Sequence, residues 1–399
     1  MSEQKQSFFK RIGKDNAYVV CNTYYAYFAQ GLAVIMLGSV LPALQSYYNI
    51  SYQVSGMLLS VTFIGYAIFG LLSGYMPLYF GLKRSFLMII TALAVGMGLL
   101  LVSGNPICLL ASMFIIGIDK GGVTTYNNQI VTVLSDGDAG PLNLLHVFFA
   151  IGACLAPIVV LFSSRVDATG WKLPVLISVI VAVIGIFLML PMKLDNSIYE
   201  RGNSSEKGGS GSLGFFTEKL FVISLIMAFL YQFVESSAMS WVTTYFIDSN
   251  VMTDTSAQLI TSALWIALLA GRTSCSILAK RMATKNMLLL MTALQLVFTV
   301  MLVSSHTLIT MMIATIGLGL GMSGMYGTIV SNAGDVFSRY PTSMGYYVLI
   351  SSIGAVISPS LVGFIASAAS LRAGFVLLCI AAAASLLMAC YNSRMKRAN

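Results

Sequence analysis

Charge is what this sequence has least of: Asp, Glu, Lys and Arg together make up 9% of 399 residues, and there are only two histidines. A soluble domain carries about 25% charged residues to cover its water-facing surface. With 57% hydrophobic residues and a mean hydropathy of +0.86, most of this chain's exterior must face lipid. Catalytic and metal-binding patterns are also missing. His146 and His306 stand alone, and the six cysteines fall singly in apolar runs with no CxxC or CxxH pair. They read as packing residues, neither disulfides nor metal ligands. There is no P-loop and no HExxH. The glycines of Gly317-x-Gly319-x-Gly321 lie inside an apolar run, where they permit close helix approach and do not cradle phosphate. These absences argue against an enzyme, against ATP hydrolysis and against any cofactor. Energy for work must then come from ion or solute gradients.

The formal net charge is +8, yet the basic residues sit in short loops between apolar runs, which argues against a nucleic-acid partner. The first 16 residues are polar and the apolar run after them is too long for a signal-peptide core, so no cleaved leader is expected. At 1.5 Å per residue, about 20 residues cross the hydrocarbon. Twelve such spans are expected, at 18–44, 54–80, 85–103, 107–134, 141–164, 172–192, 219–247, 255–279, 286–305, 307–332, 342–366 and 373–392. Placing both termini in the cytoplasm puts seventeen of the 22 basic residues inside, among them Lys5, Lys83, Arg84, Lys207, Lys280, Lys396 and Arg397. Only Arg165, Lys172 and Arg372 fall outside, while Lys120 and Arg272 fall within spans. That bias sets the expected orientation in the cell membrane.

Between the sixth and seventh spans the run Asn203 to Ser212 has the composition of a flexible linker. The expected division is therefore 1–192, a cytoplasmic linker at 193–217, and 218–399. The two halves are related. Ile151-Gly152-Ala153 with Pro157 recurs as Ile353-Gly354-Ala355 with Pro359, an offset of 202, and Gly70 with Lys83-Arg84 parallels Gly271 with Lys280-Arg281. Duplicated six-span units are a transporter architecture, which places the solute near mid-membrane between the repeats.

Gly65-Tyr66, Gly70-x-x-x-Gly74 and Phe80-Gly81-Leu82-Lys83-Arg84 resemble the loop signature between helices two and three of the major facilitator superfamily, although the usual acidic residue is missing and Pro77 interrupts the helix end. Asn127 to Leu134, Leu142 to Ala153, Tyr231 to Glu235, Trp241, Tyr245 and Gly271-Arg272 are similar, in order, to the fucose-permease-like sugar transporters. The resemblance implies an all-α membrane fold of two pseudo-symmetric six-helix halves and a small-molecule solute moved with protons. Fucose permease carries one acid four residues before a proline on helix one and another on helix four. Here Gly38 and Thr124 stand at those positions, so its proton scheme does not transfer.

Charges at bilayer depth are costly and usually face water or a partner. Lys120, Thr124, Asn127 and Asn128 share one helix face by their i, i+4, i+7, i+8 spacing. Either this stripe touches a polyhydroxyl or anionic solute, or Lys120 pairs with Asp119 or Glu235 and holds helices together. Asp119 points away from Lys120 and reads more as a structural partner than as a proton carrier. Glu235 is the main candidate for proton coupling, against a buried hydrogen-bonded acid. Trp241 reads equally as a stacking surface for a sugar or as an interface anchor. Gln30 and Tyr326 are candidate wall residues. His146, Lys83, Arg84 and Arg272 are assigned to gating or structure. The leading reading is a monomeric, lipid-embedded transporter of a sugar or anionic sugar derivative. A drug or metabolite exporter and a non-transporting receptor or scaffold are its alternatives.

Overall fold

The computed structural model describes residues 8–135, 139–166, 168–204, 213–279, 281–340 and 343–395. Lys5, Lys207, Lys280, Lys396 and Arg397 lie outside the described residues, as does most of the serine- and glycine-rich linker tract. Within lipid, every backbone donor and acceptor must be satisfied inside its own segment, so the chain is helical throughout its apolar runs. In the first half these are α1 (Gly13–Tyr48), α2 (Tyr52–Leu72), α3 (Leu82–Leu100), α4 (Pro106–Leu134), α5 (Ala139–Ser163) and α6 (Lys172–Met189). The second half has α7 (Lys219–Asp248), α8 (Asp254–Leu278), α9 (Thr284–Ser304), α10 (Leu308–Met322), α11 (Ser343–Ala368) and α12 (Leu371–Arg394). Among the described residues, eleven helices are long and apolar enough to cross a membrane, α10 being counted with the short helix that follows it. α8 has 25 residues and carries Gln258, Arg272 and several hydroxyl side chains.

Two expected spans are interrupted. The span foreseen at 54–80 ends at Leu72, and a short helix, Met76–Phe80, follows a turn. Pro77 has no N–H for the Ser73 carbonyl, which accepts from the Tyr126 hydroxyl instead, and α2 ends before it. Gly81, at φ +78°, then reverses the chain into α3. In the second half, Gly324 at φ +69° breaks α10 before the helix Met325–Asn332. The stretch read as linker is ordered at both ends: Asn196–Ser204 is helical, and Leu213–Thr217 forms a 3-10 turn whose Phe215 is fully buried against Phe221 and Tyr346.

The sequence repeat is also a repeat of contacts. A Cβ on Gly152 would strike the Phe28 carbonyl, and one on Gly354 the Phe229 carbonyl, so α1–α5 and α7–α11 cross in the same way. Gly117 meets the Thr62 carbonyl of α2, and Gly319, 202 residues later, meets the Leu264 carbonyl of α8. Small residues let backbones approach where lipid supplies no hydrophobic drive between helices. The turns after α1 and α7 repeat as well, with Asn49 at φ 52° and Asn250 at φ 54°.

The chain clusters into two compact units whose border does not follow the linker alone. One unit holds the chain up to Met36 together with Val61 onward to the linker, and the other holds Leu37–Ser60 with the second half. The α1–α2 hairpin is therefore packed with α7, α8 and α11. A Cβ on Gly56 would lie 2.6 Å from the Pro359 carbonyl, and Ser60 Oγ accepts from Ser360 N at 3.1 Å. Gln258 Nε2 donates to the Ser39 carbonyl at 3.0 Å, and Tyr52 hydrogen-bonds Asp248. Gly38 also lies close to α7: a Cβ there would be 3.1 Å from the Ser240 carbonyl.

Gly152→Leu and Gly354→Leu are each expected to lower the melting temperature in detergent, since overpacking a helix seam costs about 2 kcal/mol or more. Unchanged melting in both variants would show that these seams do not depend on glycine.

Candidate functional site

In the first unit, α4 carries the polar groups and α1 and α2 receive them. Gln30 of α1 is 1% exposed and fully engaged: its Nε2 donates to the Asp119 carbonyl at 3.1 Å, the Lys120 carbonyl at 3.2 Å and Asp119 Oδ2 at 3.4 Å. Its Oε1 accepts from Thr124 Oγ1 at 3.2 Å. Gln30 is thus a tie between α1 and α4, where the sequence suggested a wall residue. Asn127 is likewise buried, donating to the Thr23 carbonyl at 3.1 Å, so it leaves the polar stripe and joins the same seam. Asp119 is fully buried, and its Oδ1 has no hydrogen-bond partner among the described residues.

Lys120 takes a different course. Its long stem carries the ammonium to α2, where it lies 3.9 Å from the centre of the Phe63 ring and 5.2 Å from that of Tyr66. A cation over aromatic faces is stabilised by the ring quadrupole, more so away from water. Lys120, Thr124 and Asn128 are half-buried, with Asn128 Nδ2 returned to the Thr124 carbonyl at 2.8 Å. The sequence reading missed Phe63. An aromatic in an apolar span gives no signal of its own, and only the crossing of α2 and α4 at Gly65 and Gly117 brings the ring to Lys120.

In the second unit, Glu235 is half-buried and accepts from the Tyr231 hydroxyl one turn earlier on α7. Tyr231 faces Tyr326 at 6.4 Å between ring centres, and Tyr326 faces Tyr347 at 5.9 Å. Glu235 thus heads a row of three tyrosines drawn from α7, the helix after Gly324, and α11. Tyr347 was not foreseen from the sequence. Trp241, by contrast, is fully buried: its Nε1 donates to the Pro359 carbonyl at 3.2 Å and its ring packs beside Tyr52. Beyond these clusters, His146 packs edge-on to Tyr27, Lys83 Nζ donates to the Leu190 carbonyl at 2.7 Å, and Arg84 and Arg272 are exposed.

A family model described as Major Facilitator Superfamily matches residues 23–252 and 224–396. The chain belongs to that superfamily. It is a multi-pass integral membrane transporter, not an enzyme. No curated protein sequence matches it. Among solved structures it is similar to the E. coli fucose:proton symporter, at 19% identity and TM-score 0.63 over 96% of this chain and 100% of that one. A D-xylose-proton symporter aligns at 14% identity and TM-score 0.77, covering 96% and 98%, and the nucleoside transporter NupG at 13% and 0.74, covering 96% and 100%. At such identities the likeness establishes the fold of this transporter and leaves its cargo to the chemistry of its own residues.

Replacing Gln30 with Leu strands Asp119 and Thr124 without their partner. The variant is expected to be destabilised by about 1–3 kcal/mol, read as a fall in melting temperature. Melting equal to that of the unaltered transporter would mean the α1–α4 tie carries no stability.

Proposed function

We propose that this transporter carries a sugar or acidic sugar derivative across the cell membrane by alternating access, with both termini in the cytoplasm and protons coupled through Glu235. The observation that carries the reading is Lys120, half-buried, with its ammonium held over Phe63 and Tyr66. Aromatic faces beside a cation suit a sugar: the rings cover its C–H faces and the ammonium takes a hydroxyl or carboxylate. The fucose and xylose symporters among the structural relatives support a sugar cargo and a proton partner. The nucleoside transporter keeps to the same class of small polyhydroxyl solute.

Glu235 suits proton coupling because it is half-buried, ionisable and in contact with a tyrosine hydroxyl that can exchange hydrogen bonds as its charge changes. Asp119 is the second acid at depth; its burial in the α1–α4 seam makes it the lesser candidate. Alternating access requires the contacts of Leu37–Ser60 with α7, α8 and α11 to part during the cycle. They are suited to parting, since the seam is made of glycine, serine and amide contacts, each hydrogen bond being worth about 1 kcal/mol net. The protein works as a monomer in the lipid bilayer.

Glu235→Gln is expected to abolish stimulation of uptake by an inward proton gradient while solute exchange persists. Gradient-driven uptake surviving in that variant would remove Glu235 from coupling. Lys120→Ala should weaken an acidic sugar such as D-glucuronate about tenfold or more beyond any effect on neutral L-fucose, the worth of one charge-assisted hydrogen bond. Equal loss for both would withdraw the acidic cargo.

A further inference from the structure

The break between α2 and α3 is held by residues that belong to neither helix. Gly81 precedes the first residue of α3 and has no side chain with which to cap it. The Leu82 N–H instead donates to Asn196 Oδ1 at 2.7 Å, across 114 residues of sequence. Orphan N–H groups at a helix start are normally satisfied by the residue just before them. Here the cap is supplied from the helix Asn196–Ser204, at the start of the connection between the halves.

The same helix grips the other side of the break. Tyr199, 7% exposed, donates its hydroxyl to the Gly74 carbonyl at 2.6 Å, next to the Ser73 carbonyl that Tyr126 of α4 holds at 2.8 Å. Ile198 and Tyr199 enter the core formed by Leu82, Phe86, Ile130 and Met189. The segment therefore departs from the linker composition that follows it: Leu194, Ile198 and Tyr199 give it one apolar face, docked on the first unit. The connection between the halves leaves this unit from the α2–α3 break and not from the end of α6.

We propose that Asn196 and Tyr199 are positioning residues for transport: they clasp the α2–α3 break so that motion passed along the connection between the halves acts on this loop. The proposal rests on the transport reading above. Loss of the clasp would slow the conformational step and leave cargo binding alone, since neither residue belongs to the polar clusters of α4 or α7.

The test compares Asn196→Ala, Tyr199→Phe and Asn196→Asp, the last of which keeps an acceptor at the start of α3. In the full-length protein, hydrogen exchange across Ser73–Leu82 should accelerate at least tenfold in the first two variants and stay near the original rate in the third. In proteoliposomes, with L-fucose and D-glucuronate as probes, the maximal exchange rate should fall several-fold in the first two at unchanged half-saturation, with recovery in Asn196→Asp. Unchanged hydrogen exchange in all variants would overturn the clasp. Accelerated hydrogen exchange with an unchanged maximal rate would reduce it to a structural cap and also overturn the proposal. Absence of flux for both sugars through the unaltered protein would count against the transport reading instead, and hydrogen exchange alone would then decide whether the clasp exists.

Discussion

A chain in lipid can satisfy its backbone only within its own helices, and it can bring those helices together only where side chains are small. Most of this structure follows from that pair of conditions. Gly152 on Phe28 and Gly354 on Phe229 set one crossing in each half, and Gly117 on Thr62 and Gly319 on Leu264 set another. Because these crossings bring main chains nearly into contact, the few polar side chains between them have fixed partners. Gln30, Asp119 and Asn127 are tied into the α1–α4 seam in this way, and the ammonium of Lys120 lies over the rings of α2.

The polar side chains at depth divide between those that tie helices together and those that reach across to aromatic rings. On α4, residues four apart in sequence have different fates. Thr124 and Asn127 turn into the seam with α1, while the stem of Lys120 reaches across to the rings on α2. On α7, Glu235 meets a tyrosine row, whereas Trp241, less than two turns further on, is locked against Pro359.

The large features were legible in the sequence because they depend on composition and period. Apolar length located the helices, and Ile-Gly-Ala-x-x-x-Pro exposed the duplication at the residues that make the matching crossings. What the sequence hid was tertiary. Helical spacing put Asn127 on one face with Lys120, but side-chain length decides which neighbour each reaches. Phe63 and Tyr347 were invisible because an aromatic in an apolar run carries no polar signal. The clasp by Asn196 was masked by the serine and glycine that follow it. The packing of Leu37–Ser60 with α7, α8 and α11 rests on Gly38 and Gly56, whose sequence context does not distinguish them from other glycines.

The central claim is that this fold moves a polyhydroxyl solute across a membrane, with Lys120 engaging the solute and Glu235 the proton. Counterflow in proteoliposomes holding the purified chain tests it most directly, with L-fucose and D-glucuronate each trapped inside and supplied as labelled trace outside. The account predicts saturable, transient accumulation of at least one of the two, faster for the acidic sugar. Binding of either sugar without any counterflow would contradict it and favour a receptor built on the same fold.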